Sequence, residues 1–464
     1  MKRLFCLGLV VLCSLTSAAA QEDSLVGYWK GIIQAGGRIF TFVFKFSADA
    51  QIGIRGLLDL PEQSEQDIPV DEIKITANKI YLDIKKIQRK FEGEISADGK
   101  KIVGVYIRNE GLRLPLTLEK TDSVLTLKRP QMPVAPYPYK AEPVVIVNTD
   151  DQTKLAGTLT IPDGAGPFPA VILISGSGAQ DRDETFSGHK PFLVLSDHLA
   201  RLGAAALRCD DRESGESGGV HLATTTAIRA SDTGRMIDYV LTRKEIDPKR
   251  VFLLGHSEGT VIASMVASRN PRPAGIILLG APGLSIEENL YLQNALIRKA
   301  EGASDEAIAQ SNAMQRRIFS VVKEEADDEK ARAKLREIYS SNMYERLTDA
   351  QKKAIDERIA TLLTPYFRDI IKCEPSAALS RVSCPVLAII GEKDLQCPPK
   401  ENIPALEKAL RTGGNRNFRV LQMDGLNHLL QHSTSGAMSE YASIEETISP
   451  QALTVISDWL FSIK

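Results

Sequence analysis

The hydrophobic and polar positions of this chain follow two different rhythms, one before and one after about residue 144. Between residues 21 and 128, apolar side chains recur at every second position, as in the run Phe40, Phe42, Phe44 and Phe46. A period of two is typical of β-strands that bury one face. Further apolar runs lie at 80–84, 91–95, 102–107 and 112–118, with the hairpin signal Asp98-Gly99 between two of them. This part of the chain is predicted to be a small all-β domain, either a barrel or a sandwich.

Prolines mark both an expected edge and an expected boundary. Pro115 lies inside the run 112–118, and a proline has no N–H for a second neighbouring strand, so we expect an edge strand there. Residues 129–143 carry five prolines and read as a semi-rigid, extended linker. We place the domain boundary in this linker, with a second domain at 144–464.

After residue 144, short apolar runs alternate with segments of helical period. The predicted strands are 144–147, 155–161, 170–174, 204–208, 251–254, 275–279, 385–390 and 418–422. The predicted helices are 192–202, 224–241, 260–267, 403–410 and 452–461. This alternation predicts an α/β domain, in which helices cover both faces of a mostly parallel sheet.

One segment interrupts the alternation. Residues 283–372 show no strand pattern and are rich in Glu, Lys, Ala and Arg, with apolar residues such as Leu335 and Ile338 at helical spacing. We interpret this segment as a helical lid insertion that lies over the site, called the helical insertion below.

Charge and the first residues narrow the class of protein. The 464 residues carry a formal net charge of −2, so no basic surplus favours nucleic acid as a partner. Lys2 and Arg3 precede a short apolar stretch and the small residues 18–20, a pattern typical of a signal peptide at 1–20 with the mature chain starting at Gln21. No later stretch has the length and apolarity of a membrane span. We therefore expect an exported protein, periplasmic or extracellular.

Four cysteines, Cys209, Cys373, Cys384 and Cys397, follow the predicted signal peptide. They form no disulfide framework and no C-x-x-C zinc pair, and isolated thiols are favoured over a bridge between Cys373 and Cys384. Whether any of them is bridged stays open. We expect neither a metal nor a cofactor.

The clearest chemical motif is Gly255-His256-Ser257-Glu258-Gly259, which lies between the predicted strand 251–254 and the predicted helix 260–267. A G-x-S-x-G motif between a strand and a helix is the context of a nucleophile elbow. Gly255 and Gly259 leave room for the tight turn that projects the Ser257 hydroxyl from the sheet. The motif predicts Ser257 as a nucleophile.

A serine nucleophile needs a base and a carboxylate that orients the base. Asp394 and His428 each follow a predicted strand, and the carboxyl ends of parallel strands meet at one edge of a sheet. We predict a triad of Ser257, Asp394 and His428. His432 is the second choice for the base, and Glu392 and Asp424 compete for the acid.

Such a site also needs two backbone N–H groups for an oxyanion. The residue after the nucleophile, Glu258, supplies one. The second is expected from the Gly-Ser loop after the strand 170–174, with Ser177 favoured and Gly178 next.

With these residues, the chain resembles the α/β-hydrolase superfamily, and more closely exported bacterial serine carboxylesterases related to serine-aminopeptidase-like hydrolases. The resemblance covers about residues 144–464, and the β domain, starting near Gly27, looks like one found in some of these carboxylesterases. Glu213 departs from the group's pattern, which has glycine there. The resemblance rests on 175–183, 211–217, 255–259, 391–394 and 427–428.

The resemblance implies a serine esterase that hydrolyses short acyl or aryl esters of small molecules through an acyl-enzyme. A serine peptidase of the same plan is an alternative, with Glu258, Glu213 or a carboxylate of the helical insertion as candidates to bind a peptide amine. An acyltransferase or thioesterase of the same fold is another alternative. A non-catalytic protein that binds a glycan or envelope component is the alternative from a different class. Oligomeric state stays open.

Overall fold

The computed structural model describes residues 25–35, 38–49, 53–60, 65–108, 112–122, 128–341 and 343–463. The predicted signal peptide at 1–20 and the expected mature start at Gln21 lie outside these residues. The chain divides into two compact units. The β unit runs to Lys128 and includes Phe186–Gly188, and the second unit, called the α/β unit below, comprises Arg129–Thr185 and His189–Lys464.

In its described residues, the β unit is an antiparallel sheet of nine strands in the order β4-β3-β2-β1-β9-β8-β7-β6-β5. The end strands, β4 and β5, are separated in sequence only by Asp71, so the sheet is nearly closed. The prediction of an all-β domain is confirmed. Its nearly closed sheet is closer to a barrel than to a sandwich. The strands are β1 (Gly27–Ala35), β2 (Arg38–Asp49), β3 (Gly53–Leu60), β4 (Glu65–Val70), β5 (Glu72–Thr76), β6 (Lys79–Ile84), β7 (Arg89–Ile95), β8 (Lys101–Arg108) and β9 (Leu112–Thr121).

The alternating residues of β2 explain the core of the β unit. Phe42, Phe44 and Phe46 are buried, and Phe44 stacks on Phe46 with ring centroids 5.9 Å apart. Trp29 of β1 is fully buried, and its indole N–H donates to the Leu25 carbonyl oxygen at 2.7 Å. An aromatic core of this kind stabilises a small unit whose surface is large for its volume.

The expectation of an edge strand at Pro115 is wrong, because β9 lies between β1 and β8. The register gives the reason. Pro115 is paired with Val105 of β8, whereas the pairing of β9 with β1 covers only the part from Leu118 to Thr121. Pro115 therefore lies in a part of an interior strand that has one neighbour, where a missing N–H costs no ladder bond.

The α/β unit contains a sheet of eight strands in the order β10-β11-β13-β12-β14-β15-β16-β17. The pairs β10–β11 and β11–β13 are antiparallel and the rest are parallel, which confirms the mostly parallel α/β sheet. The strands are β10 (Tyr139–Val147), β11 (Lys154–Pro162), β12 (Phe168–Ile174), β13 (Ala205–Cys209), β14 (Ile246–His256), β15 (Gly275–Leu279), β16 (Val386–Gly391) and β17 (Phe418–Met423).

Helices cover both faces of this sheet, because its central strands are apolar on both sides. Ile172 and Leu253 contribute to a core with helices α2, α3 and α10, and Leu173 and Phe252 contribute to a second core with α1 and α11. The helices outside the helical insertion are α1 (Pro191–Arg201), α2 (Thr226–Leu241), α3 (Glu258–Ala267), α9 (Pro375–Leu379), α10 (Pro399–Thr412) and α11 (Pro450–Ser462). Short 3₁₀ turns lie at Lys85–Ile87, His221–Ala223, Tyr344–Arg346 and Met438–Ser443.

The helical insertion predicted at 283–372 is helical throughout its regular elements and lies between β15 and β16. Its helices bury a core of their own that includes Phe319 and Leu335. Polar residues cap these helices, such as Ser304 and Thr348, whose side chains accept from a backbone N–H in the first turn of a helix. The helices are α4 (Ile286–Ala300), α5 (Asp305–Glu324), α6 (Asp328–Ser340), α7 (Asp349–Leu362) and α8 (Pro365–Ile370).

The predicted linker at 129–143 needs correction, because it belongs to the α/β unit. The side chain of Gln131 bonds the backbone of Thr447 and Ile448, and β10 begins at Tyr139. Prolines suggested an extended linker, but an edge strand is also extended, and β10 is the edge of its sheet. Pro143 is thus tolerated in β10, where it is paired with Thr158 of β11.

The four cysteines Cys209, Cys373, Cys384 and Cys397 are unpaired. Within the part of the chain that the structure describes, no helix combines the length and apolarity needed to cross a membrane.

Candidate active site

The candidate nucleophile, Ser257, lies at the turn between β14 and α3. Its φ of 51° and ψ of −118° are a strained conformation for a residue with a side chain, and the strain is typical of a nucleophile elbow. The Ser257 N–H donates to the Leu279 carbonyl at 2.8 Å, and the Ser257 carbonyl accepts from Thr260 N–H at 3.0 Å. These bonds hold the turn against the end of β15.

The two glycines of the motif are required by close packing. A Cβ at Gly255 would lie 2.5 Å from Thr260 N, and a Cβ at Gly259 would lie 2.6 Å from the Ser175 carbonyl oxygen. Real side chains do not approach backbone atoms so closely. The sequence pattern around Ser257 is therefore fixed by the tightness of the turn.

The structure joins His428 to Asp394. His428 follows β17, Asp394 follows β16, and the distance between His428 Nδ1 and Asp394 Oδ2 is 2.7 Å. Both side chains are buried. The other carboxylate oxygen, Asp394 Oδ1, accepts from the N–H groups of Gln396 at 2.8 Å and Cys397 at 2.7 Å. Asp394 is thus fixed as an acceptor, and His428 Nδ1 carries the proton of this bond.

Residues that adjoin Ser257 in sequence or in space contact His428. The His256 ring lies 4.8 Å from the His428 ring, centroid to centroid, and a Cβ at Gly280, beside Leu279, would lie 2.9 Å from His428 Nδ1. Among the described residues, no hydrogen bond joins the Ser257 hydroxyl to His428. Such bonds are often long before a substrate is present.

The rival residues lie elsewhere. His432 is half exposed and bonds Glu446, with Nδ1 2.9 Å from Glu446 Oε1. Glu392 is exposed and accepts from the Gly425 N–H at 2.8 Å, and Asp424 is also exposed. The carboxylate that contacts His428 is that of Asp394.

The two candidate oxyanion donors flank the elbow. Glu258 is the first residue of α3, and Ser177 lies in the exposed part of the loop 175–180, called the oxyanion loop below. In the described part of the chain, neither the Glu258 N–H nor the Ser177 N–H donates to a protein acceptor. Two free N–H groups beside a nucleophile are the arrangement that an oxyanion needs. Gly178, the second choice, has a φ of 98° in the same loop.

Sequence reasoning missed Glu184, which ties the oxyanion loop to the elbow. Glu184 Oε1 accepts from the Gly176 N–H at 2.6 Å and from His256 Nδ1 at 2.9 Å. His256 Nε2 in turn donates to the His428 carbonyl at 3.1 Å. Burial alone would lower the pKa of His256, but the carboxylate of Glu184 raises it above its ordinary value. The His256 ring, bonded at both nitrogens, thus links the oxyanion loop and the elbow to His428.

Sequence reasoning also missed a buried ionic group behind the elbow. Arg229 of α2 donates from Nη1 to Glu258 Oε1 at 2.7 Å, and the Tyr366 hydroxyl of α8 donates to Glu258 Oε2 at 2.5 Å. Burial and the neighbouring carboxylate of Glu258 raise the pKa of Tyr366, so its hydroxyl keeps its proton. One signal was available: Glu258 is the one charged residue of a buried helix, and a buried carboxylate requires a partner.

Asp211 completes this group on the side of the oxyanion loop. Both of its carboxylate oxygens lie 2.8 Å from the Ser175 hydroxyl, and Oδ1 lies 3.5 Å from Arg229 Nη2. Burial raises the pKa of Asp211 to about 6, although the charge of Arg229 opposes the shift. Arg229 is therefore flanked by two carboxylates, Asp211 and Glu258.

Comparison with known families agrees with this geometry. The model of a family described as "Serine aminopeptidase, S33", Hydrolase_4, matches residues 191–434. This range is just over half of the 464 residues and contains Ser257, Asp394 and His428. One curated relative, Esterase EstD of Thermotoga maritima, is 28% identical over 278 residues, which are 60% of this chain and 58% of that protein. The chain thus spans less than two thirds of the length of this relative.

Solved structures give more distant likenesses. The esterase Pf2001 of Pyrococcus furiosus matches with 15% identity and a TM-score of 0.44, over 74% of this chain and 99% of that chain. Est1E of Butyrivibrio proteoclasticus, solved with ferulic acid, matches with 15% identity and a TM-score of 0.41, over 69% and 98%.

Proposed function

This chain belongs to the Hydrolase_4 family of α/β-hydrolases, and from that premise we propose that it is a serine carboxylesterase for short acyl or aryl esters. The observation that carries the proposal is the buried pair of His428 and Asp394, together with the strained turn at Ser257. A histidine that is held by a carboxylate, next to a serine on an elbow, is the arrangement that activates a serine hydroxyl.

In the proposed reaction, Ser257 Oγ attacks the ester carbonyl carbon and His428 Nε2 takes the hydroxyl proton. Asp394 keeps the proton of His428 on Nδ1, so that Nε2 is free to accept. The carbonyl C–O double bond opens to an oxyanion, which the N–H groups of Ser177 and Glu258 stabilise.

Collapse of this intermediate breaks the bond to the leaving alcohol, and His428 returns the proton to the alcohol oxygen. The acyl group is then bound to Ser257 Oγ as an ester. Water attacks the acyl-enzyme, with His428 again taking a proton, and releases the carboxylic acid and free Ser257. The steps need no cofactor and no metal.

The carboxylates near the elbow support an ester over a peptide substrate. An aminopeptidase needs a free carboxylate to bind the substrate ammonium. Glu258 is the nearest in sequence to the nucleophile, but both of its oxygens are bonded, to Arg229 and Tyr366. Glu213 is exposed, and its Oε2 already accepts from the His221 N–H at 2.8 Å. Glu258 therefore has no free oxygen for an amine, and one oxygen of Glu213 is already engaged.

The test is hydrolysis of p-nitrophenyl esters from acetate to decanoate, and of aminoacyl p-nitroanilides, by the wild type and Ser257→Ala. We expect the wild type to prefer the short esters and Ser257→Ala to lose activity by roughly 10⁶-fold, as in the best-studied serine hydrolase. Turnover that Ser257→Ala retains would refute the mechanism, and anilides cleaved faster than esters would favour the peptidase. Acyl transfer to an added alcohol that outcompetes hydrolysis would favour the transferase.

We also propose that the protein is exported after cleavage before Gln21, to the periplasm or the medium. The support is the sequence pattern of residues 1–20 alone. N-terminal sequencing of protein from a cell fractionation tests this. A chain that keeps Met1 and stays in the cytoplasmic fraction would contradict it.

A further inference from the structure

A single buried guanidinium contacts both sides of the candidate oxyanion hole. Arg229 lies in the first turn of α2, and only 7% of its surface is exposed. Its Nη1 donates to Glu258 Oε1 at 2.7 Å and to the Gly176 carbonyl at 3.2 Å. Its Nη2 donates to the Ser175 carbonyl at 2.9 Å. The planar fork of an arginine can make these bonds at once, which a lysine ammonium cannot do with the same geometry.

The bond to Gly176 acts on the first donor through the peptide plane. The Gly176 carbonyl and the Ser177 N–H belong to one peptide group, and in a planar trans peptide the two point in opposite directions. When Arg229 fixes the carbonyl, it also fixes the direction of the Ser177 N–H. Glu184 holds the other end of the residue, because Gly176 N–H donates to Glu184 Oε1 at 2.6 Å.

The bond to Glu258 acts on the second donor through the start of α3. Glu258 carries the other candidate N–H, and its side chain is anchored by Arg229 on one oxygen and by Tyr366 on the other. A side chain held at both oxygens leaves its own backbone little freedom to rotate. Arg229 therefore constrains the residues that carry both donors.

The surroundings of Arg229 exclude a role in binding a substrate anion. Its charge is already balanced by Glu258 and Asp211, and each of its Nη nitrogens has protein acceptors. The same balance explains how a charged group is tolerated in this interior, because an unpaired guanidinium there would be strongly destabilising. What remains for Arg229 is the position of the peptide groups that it contacts.

We propose that Arg229 is the positioning residue of the oxyanion hole and that it aligns the N–H groups of Ser177 and Glu258. This inference rests on the proposed esterase function. Tyr366 comes from the helical insertion, so α8 of that insertion supports the same carboxylate from the other side. Arg229 never touches the substrate and acts only through the two donors.

The test is a comparison of Arg229→Lys with a matched control, Arg212→Lys. Arg212 is also a buried arginine of the α/β unit, with 6% of its surface exposed, and it forms a two-point ion pair with Asp232 of α2. Within the described residues, no hydrogen bond or ion pair joins it to Gly176 or Glu258. Both variants are expected to lose thermal stability, but only Arg229→Lys is expected to lose turnover.

Donors that act on an oxyanion stabilise the transition state and not the bound ester. For Arg229→Lys with p-nitrophenyl acetate, we expect kcat to fall roughly 10²-fold while KM changes little, the size typical of a lost oxyanion donor. Affinity for an aryl trifluoromethyl ketone should fall in parallel, because Ser257 Oγ adds to its carbonyl and places an oxyanion in the same hole. A purely structural role would not produce this parallel loss.

Tyr366→Phe is the second variant, since it keeps the guanidinium and removes one bond to Glu258. We expect kcat to fall less than in Arg229→Lys, again with little change in KM. Tyr366→Phe also keeps the proposal testable if Arg229→Lys does not fold.

Folded variants whose kcat stays within threefold of the wild-type value would overturn the proposal. A loss of activity that appears as a higher KM would also overturn it, as would an equal loss of kcat in Arg212→Lys. If the wild type cleaved neither esters nor amides, both proposals would fall, whereas an active wild type with an unaffected Arg229→Lys refutes only this one.

Discussion

His189 links the stability of the α/β unit to pH. Its ring is fully buried, with Nδ1 3.1 Å from Thr447 Oγ1 and Nε2 2.9 Å from the Tyr441 carbonyl oxygen. The carbonyl can only accept, so Nε2 carries the proton, and the neutral ring satisfies both partners. Burial lowers the pKa of His189 from 6.5 to about 4, against the opposing bond to Tyr441. Between pH 6.5 and about pH 4, the unfolded chain therefore binds a proton that the folded chain does not.

The sign and size follow from this difference. A base whose pKa is lowered in the folded state contributes stability above its unfolded pKa, and the contribution is lost as pH falls toward the folded pKa. Between pH 7.5 and pH 5.0, the values 6.5 and 4 correspond to a loss of about 2 kcal/mol in the free energy of unfolding. His189→Gln removes the titrating ring and keeps an amide N–H for the Tyr441 carbonyl. We expect the advantage of the wild type over this variant to shrink by about 2 kcal/mol over the same interval.

The chain offers a selective probe for this measurement. Of its two tryptophans, Trp29 lies in the β unit and Trp459 in the α/β unit. In a Trp29→Phe background, tryptophan fluorescence therefore reports the unfolding of the α/β unit alone. Urea unfolding of His189→Gln in this background is compared at pH 7.5 and 5.0. As a control, His432→Gln removes a ring whose side chain is 52% exposed. The reasoning is refuted if His189→Gln loses as much stability on acidification as the wild type, or if His432→Gln flattens the dependence equally.

Three further substitutions test the site and its frame. Asp394→Asn should leave the fold intact and lower kcat for p-nitrophenyl acetate by roughly 10⁴-fold, because the amide no longer holds His428 in the tautomer that accepts at Nε2; a loss under tenfold would contradict this. Gly259→Ala should abolish soluble, active protein, because the new Cβ would lie 2.6 Å from the Ser175 carbonyl oxygen. Gly234→Ala is its counterpart in α2, where a Cβ meets nothing within 4 Å, and calorimetry should show a gain of about 1 kcal/mol from helix propensity.

The parts of the fold that depend on local pattern were predictable from the sequence. The helix predicted at 260–267 is Glu258–Ala267, and the strand at 170–174 is Phe168–Ile174, because uniform burial leaves a clear apolar signal. The strand at 251–254 proved longer, Ile246–His256, since its first half carries polar residues at the sheet's end. The ambiguity lay in extended proline-containing segments, where a linker and an edge strand share one backbone conformation.

In the site, residues tied to strand ends were predictable and residues tied by distant side chains were not. Asp394 and His428 each follow a strand, and parallel strands order their ends by register. Arg229, Glu184 and Tyr366 contact the site from α2, a loop and the helical insertion, and nothing near them in sequence announces the partner. In the segment 225–232, a solvated arginine and a buried arginine would give the same sequence pattern.

Glu213 shows the reverse case, in which a departure from the family pattern has a visible structural outcome. The resemblance has glycine at this position, and Glu213 adopts a φ of 65°, a conformation that glycine reaches without strain. The loop keeps the glycine conformation although the residue has changed. The bond from the His221 N–H to Glu213 Oε2 offsets part of the cost.

The strand order of the β unit makes one of its pairings wait for the last strand of the unit to be synthesised. β1 is paired with β9 as well as with β2, so that Tyr28 faces Thr121 across some ninety residues of chain. A ribosome that has released only β1 to β8 has made a sheet with β1 still unpaired on one side, and the nascent chain carries an open template for other chains until β9 emerges. Because contacts between distant residues form slowly, closure of this sheet is expected to be the slow event in its folding. Loss of Gly27–Ala35 would expose β2 and β9 together and turn a nearly closed sheet into an aggregation-prone one.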